Sequence, residues 1–92
     1  MSLEIFDLTG KTAMITGSTK GLGEVAAIAL AKAGADIAVC GRNRENLDKV
    51  STSIKNLGRD SAGFCLDVTS RQSVQEGVEQ ILKYFGKIDI LV

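Results

Sequence analysis

Short apolar runs alternate with longer stretches of helical period along this chain, and that alternation limits the folds open to it more than any other feature. Thr12-Ala13-Met14-Ile15-Thr16 follows a turn at Thr9-Gly10-Lys11 and reads as a buried strand. Leu22 to Ala33 is alanine-rich and stops at Gly34, as a helix closed by a glycine does. Asp36-Ile37-Ala38-Val39-Cys40 reads as a second buried strand. Asn43 can cap a helix that keeps Leu47, Val50, Ile54 and Leu57 on one stripe, with Gly58 closing it. Ala62 to Leu66 gives a third strand. Thr69 or Ser70 then opens a helix with Val74, Val78, Ile81, Leu82 and Phe85 on one side, and Gly86 stops it. Ile88 to Val92 begins a fourth strand.

Strands separated by helices must pair in parallel through right-handed crossovers. The fold class expected is therefore α/β, with the order β-α-β-α-β-α-β of the N-terminal half of a Rossmann-type doubly wound parallel sheet. At 92 residues and 9.7 kDa there is room for one small domain. Eleven basic residues balance eleven acidic ones, so nothing in the charge draws nucleic acid or an anionic membrane. The chain has no histidine, which removes imidazole as base or metal ligand, and no metal site is expected. Its two cysteines, Cys40 and Cys65, both fall in apolar runs and are read as buried reduced thiols of a cytoplasmic protein. Acids near the start, at Glu4 and Asp7, argue against a signal peptide. The longest small-apolar stretch, Val25 to Ala31, is too short to span a membrane.

The most informative segment is Thr16-Gly17-Ser18-Thr19-Lys20-Gly21-Leu22-Gly23, between the first strand and the first helix. Its glycines permit a sharp turn, a close approach of backbone to ligand, and tight packing of helix on strand. The helix start behind it offers free N–H groups and the positive end of a macrodipole, which suit a pyrophosphate. A tight βα turn without ligand is the competing reading, weakened by the strand before, the helix after and the second βα unit beyond. Gly10-Lys11-Thr12 mimics the end of a P-loop, but that motif's first glycine would fall on Ile5 and a strand follows where a helix is required.

The spacing Thr16-Gly-x-x-x-Gly21-x-Gly23 resembles the cofactor motif of the short-chain dehydrogenase/reductase family. Leu66-Asp67-Val68 matches the family's Asp-Val that contacts adenine, and Asp89-Ile90-Leu91-Val92 matches the segment leading into its Asn-Asn-Ala-Gly motif. The resemblance runs from about Phe6 to Val92, and the start and the Cys40-Gly41-Arg42-Asn43 turn look most like relatives acting on 3-oxoacyl carrier thioesters or on gluconate. It implies a cofactor site of Gly17, Ser18, Thr19, Lys20, Gly21, Leu22, Gly23, Arg42, Asp67 and Val68.

An NAD site usually ends its second strand with an acid that binds the ribose 2'-hydroxyl. Here Arg42 stands in that region, suited to a 2'-phosphate, and Lys20 resembles the basic residue of NADP-preferring relatives. NADP is therefore expected over NAD. Asp67 has a second reading, as the cap of the turn through Thr69 and Ser70. Asp36 lies at the wrong end of its strand for ribose, and Asp89 is expected to hold backbone groups near the sheet.

The resemblance implies hydride transfer between a nicotinamide and a carbonyl or alcohol, with a tyrosine and lysine as the acid/base pair. No catalytic residue is assigned in this chain. Tyr84 and Lys87 give Tyr-x-x-Lys where the family has Tyr-x-x-x-Lys, and Tyr84 reads as helix surface or core edge. The chain is expected to be a dinucleotide-binding half-domain over residues 1–92, truncated before the catalytic part and inactive alone. The complete enzyme would act on a small molecule and, by the same resemblance, form a homo-oligomer. The alternative is a non-catalytic nucleotide-binding or interaction module that docks a partner through its open sheet edge. One sheet face is also expected to lack its covering helices.

Overall fold

Seven elements follow one another in the order that the periodicities predict: β1 (Thr12–Thr16), α1 (Gly21–Lys32), β2 (Asp36–Gly41), α2 (Arg44–Asn56), β3 (Ser61–Cys65), α3 (Arg71–Phe85) and β4 (Ile90–Leu91). The computed structural model describes residues 7–17 and 21–92. All strand pairs are parallel, in the order β3-β2-β1-β4. The first two crossovers step in one direction along the sheet, so right-handedness puts α1 and α2 on the same face. The third steps back past β2 and β1, which sends α3 to the opposite face.

Two cores result, one on each side of the sheet. Along β1 and β2 successive side chains point to opposite faces. Ala13, Ile15, Ile37 and Val39 pack with Ala27, Ala31, Leu47, Val50 and Ile54 under α1 and α2. Met14, Ala38 and Cys40 pack with Phe64, Leu66 and Ile81 beneath α3. Burial on both faces is why these strands read as continuous apolar runs. The expectation of a face without helices is thus corrected in part, since α3 covers it by itself.

Helix ends follow their sequence signals. The Asn43 side chain accepts the Asn46 N–H, and the Ser70 hydroxyl accepts the Ser73 N–H, so Ser70 rather than Thr69 caps α3. Gly86 closes α3 in the left-handed conformation. Two predicted stripe residues lie off the core. Leu57 falls just past α2 as its C-cap and is exposed. Leu82 is one residue, about 100°, round the helix from the buried Ile81, which turns it to solvent.

The strands differ from expectation at their margins. β3 starts one residue early, at Ser61, which is fully buried because its hydroxyl donates to the Ile37 carbonyl at 2.9 Å. β4 pairs only Ala13 with Ile90 and Met14 with Leu91. Leu91 and Val92 remain exposed on this edge, as expected. Cys65 is not buried. Gly63 lies against Arg44 and Leu47 in the first turn of α2, and Cys65, two residues and roughly 7 Å further along the same side of β3, runs past the helix end into solvent. Cys40 is buried, and burial pushes its thiol up to about 12.

The edge where β1 begins is tied by polar bonds. Asp89 Oδ2 accepts the Thr12 N–H at 2.9 Å, and the Asp89 N–H donates to the Thr12 carbonyl at 2.8 Å. Lys87 pairs with Asp89 at 3.0 Å and also donates to the Gly10 carbonyl. Asp89 therefore holds backbone at the sheet, the role expected of it. The Thr12 bond, followed by Lys87, keeps its carboxyl below the usual range.

Candidate functional site

Parallel pairing brings Thr16 beside Cys40 and Gly41 beside Cys65, so β1, β2 and β3 end together. The residues that leave them, Gly17, Arg42-Asn43 and Asp67-Val68, share one edge of the sheet. β1 lies between β2 and β4, where the winding direction reverses. In open α/β sheets ligands bind at the carboxyl ends of the strands beside such a switch point. Thr16 closes the floor there, since both its N–H and its hydroxyl donate to the Val92 carbonyl, at 3.1 and 3.2 Å.

Gly17 and Gly21 have the backbone that glycine at these places predicts. Their φ values are +64° and +53°, a region that L side chains rarely adopt, and among the described residues nothing lies within 4 Å of where a Cβ would stand on either. Gly21 begins α1 and Gly23 lies in its first turn, so unpaired N–H groups and the positive dipole end face this opening. Leu22 projects almost fully into solvent, 89% exposed, and Val25 follows it. Ser18, Thr19 and Lys20 lie outside the described residues.

Across the edge, Arg42 and Asp67 meet. Arg42 Nη2 donates to Asp67 Oδ1 at 2.8 Å, with side chains 70% and 41% exposed. The same oxygen accepts the Thr69 N–H at 2.9 Å and the Thr69 hydroxyl at 2.6 Å. Two further bonds complete the turn: the Ser70 N–H donates to the Asp67 carbonyl, and the Asp67 N–H donates to the Ser73 hydroxyl. The turn-capping reading of Asp67 thus describes a real set of bonds. Val68 beside it is exposed. The ion pair joins residues 25 apart in sequence and was not anticipated. Its only sequence signal is that the ends of two adjacent parallel strands carry opposite charges. Arg44 was also missed: Nη1 donates to the Gly63 carbonyl at 2.9 Å and ties α2 to the edge strand.

Hydrogen bonds from Thr69, then Arg42, hold the Asp67 carboxyl down to about 2. A carboxylate with a lowered folded pKa favours the folded state above its ordinary value of 3.8, and that contribution fades as pH falls from there toward 2. Carbon-detected NMR of the Asp67 carboxyl should give a midpoint near 2 in the wild type and a higher one in Thr69→Val. An ordinary midpoint in both would show that the turn is open in solution.

The remaining candidates sit elsewhere. Asp36 starts β2 and accepts the Asp60 N–H at 3.1 Å, on the edge away from the glycine segment. Tyr84 is on α3, half exposed, and donates to Asp60 Oδ1 at 3.1 Å, which raises its pKa. Tyr84 and Lys87 thus lie near the opposite edge. Among the described residues no group of histidine, cysteine or acid side chains is arranged to hold a metal ion. Nor is any described helix long and apolar enough to cross a membrane.

A parallel sheet ordered β3-β2-β1-β4 with a glycine turn at its switch point defines a Rossmann-type nucleotide-binding unit. The family model for short chain dehydrogenases matches residues 11–92, and the chain belongs to that family of oxidoreductases. It is 36% identical over 89 residues to gluconate 5-dehydrogenase of Gluconobacter oxydans, covering 97% of this chain and 35% of the relative. With 2,3-dihydro-2,3-dihydroxybenzoate dehydrogenase of Bacillus subtilis the identity is 42% over 85 residues, covering 92% and 33%. Among solved structures, NAD+-bound xylitol dehydrogenase superposes with a TM-score of 0.88 at 36% identity, covering 91% of this chain and 32% of that one. L-sorbose reductase of Gluconobacter frateurii, complexed with NADPH and L-sorbose, gives 0.86 at 34% identity, covering 92% and 34%. The chain spans about a third of the length of these relatives and corresponds to their N-terminal portion.

Proposed function

We propose that this chain is the NADP(H)-binding portion of a cytoplasmic oxidoreductase that interconverts a carbonyl and an alcohol on a small molecule. The observation that carries the cofactor choice is Arg42, placed just past the end of β2 where an NAD site puts an acid. The residues fit a dinucleotide: two left-handed glycines at the start of α1 have no described atom within 4 Å of a would-be Cβ, and a guanidinium stands across the same edge. Gly17, Ser18, Thr19, Gly21, Leu22 and Gly23 would surround the pyrophosphate and the adjoining ribose, with Arg42 and Lys20 on the 2'-phosphate. Asp67 and Val68 would flank the adenine. When bound, the nicotinamide supplies or accepts hydride.

This chain's own residues bind and orient. Tyr84 and Lys87 have the wrong spacing for the acid/base pair and lie near the far edge, so the 92 residues alone are expected not to turn over substrate. The complete enzyme would contribute that pair, the substrate groups and the homo-oligomer contacts. Reading Cys40 and Cys65 as reduced thiols fits a reducing compartment. The relatives' names point to a hydroxylated, sugar-like or cyclic substrate.

Removing the guanidinium in Arg42→Ala takes away charge-assisted hydrogen bonds and should weaken NADPH about 10- to 100-fold. NADH should change by less than about twofold, since it has no 2'-phosphate. Calorimetric titration of both cofactors checks this, and equal losses would remove Arg42 from the 2'-phosphate site.

A further inference from the structure

From the Arg42–Asp67 contact we infer that Asp67 sets cofactor preference by competing for the guanidinium that a 2'-phosphate would use. The inference rests on the NADP reading above. Asp67 Oδ1 is fixed by two bonds from Thr69, so the carboxylate is held in place independently of Arg42. Arg42 meets it through Nη2 at 2.8 Å. The arginine is 70% exposed and bound to Asp67 through a single nitrogen, so the pair is a weak, exchangeable one, as exposed ion pairs generally are. A phosphate arriving at Arg42 must share the guanidinium with a carboxylate or displace it. Either way the Arg42 charge is already offset by Asp67, and the part of the phosphate's advantage over a ribose hydroxyl that Arg42 supplies is reduced. NADH brings no anion to this point and bears none of that competition. The preference for NADPH that Arg42 alone would give is thereby softened toward use of both cofactors.

Asp67→Asn tests this, because the amide oxygen still accepts both Thr69 bonds while the charge is lost. Any adenine contact of residue 67 affects both cofactors alike and cancels in the ratio of NADH to NADPH dissociation constants. That ratio, measured by calorimetry on the full chain at about 0.15 M salt, should rise about three- to tenfold in Asp67→Asn. In an Arg42→Ala background the same substitution should leave it unchanged within about twofold, because the competition acts through the arginine. No rise in the first case overturns the inference. An equal rise in both backgrounds also overturns it, showing a field effect that does not need Arg42. If Arg42→Ala alone leaves the ratio unchanged, or the wild type binds no NADPH, the NADP reading itself falls.

Discussion

Gly34→Ala is expected to remove half or more of the chain's stability. Gly34 links α1 to β2 with φ of +113°, and a Cβ there would lie 2.9 Å from the Thr9 nitrogen and hydroxyl oxygen and 3.2 Å from the Thr9 Cα. The obstacle is main chain, and the segment cannot drift off freely, because the Leu8 N–H donates to the Ala33 carbonyl at 2.8 Å. Backbone strain of about 1 to 3 kcal/mol adds to an overpacking cost of about 1 to 3 kcal/mol. A chain of this length has a total stability of only about 5 kcal/mol at the low end of the usual range per residue. Urea denaturation should show the midpoint falling by half or more. A midpoint equal to wild type would mean that residues 7–11 lift away from α1 at little cost.

Gly21→Val should have the opposite balance, with binding lost and the fold largely kept. Gly21 has φ of +53°, and nothing among the described residues lies within 4 Å of its would-be Cβ. A β-branched residue there suffers backbone strain of about 1 to 3 kcal/mol but meets no packed neighbour among the described residues. Its methyl groups enter the space proposed for the pyrophosphate and stand over the N–H groups at the start of α1. NADPH and NADH should both weaken by about 100-fold or more in calorimetry, with a smaller drop in urea midpoint than Gly34→Ala produces. Unchanged affinity would show that the phosphates do not approach this turn.

The contrast between these glycines shows which parts of the molecule were legible in advance. Gly21 belongs to a local pattern, and the bounds of β1 and the stops at Gly34, Gly58 and Gly86 are equally local, so all could be read off the chain. Gly34 was legible as a helix stop, but not its contact with Thr9, which depends on where an earlier segment returns. Ser61 is polar and buried because a carbonyl of the next strand waits for its hydroxyl, and no periodicity in its own segment signals that. Cys65 sits in an apolar run and is exposed because the neighbouring helix starts two residues too far back to cover it. Leu82 looked like part of the α3 stripe because i+4 spacing from Val78 is satisfied, yet Ile81 and Phe85 define the face that packs. The site followed the same division. Its glycines were legible one by one, whereas the Arg42–Asp67 pair exists only once β2 and β3 lie side by side.

The seating of β1 between β2 and β4 has a consequence for how this site comes into being. Pairing β2 on β1 requires closing a loop of ordinary βαβ length, but Ala13 with Ile90 and Thr12 with Asp89 join residues 77 apart. Loop-closure entropy delays such contacts until local structure is in place. The glycine turn, α1 and the Arg42 arm belong to the part that assembles early, and the wall of the crevice at the switch point belongs to the part that assembles late. During synthesis the glycine turn therefore emerges well before the groove beside it, and on the proposed reading the ability to retain a cofactor arrives with the docking of β4.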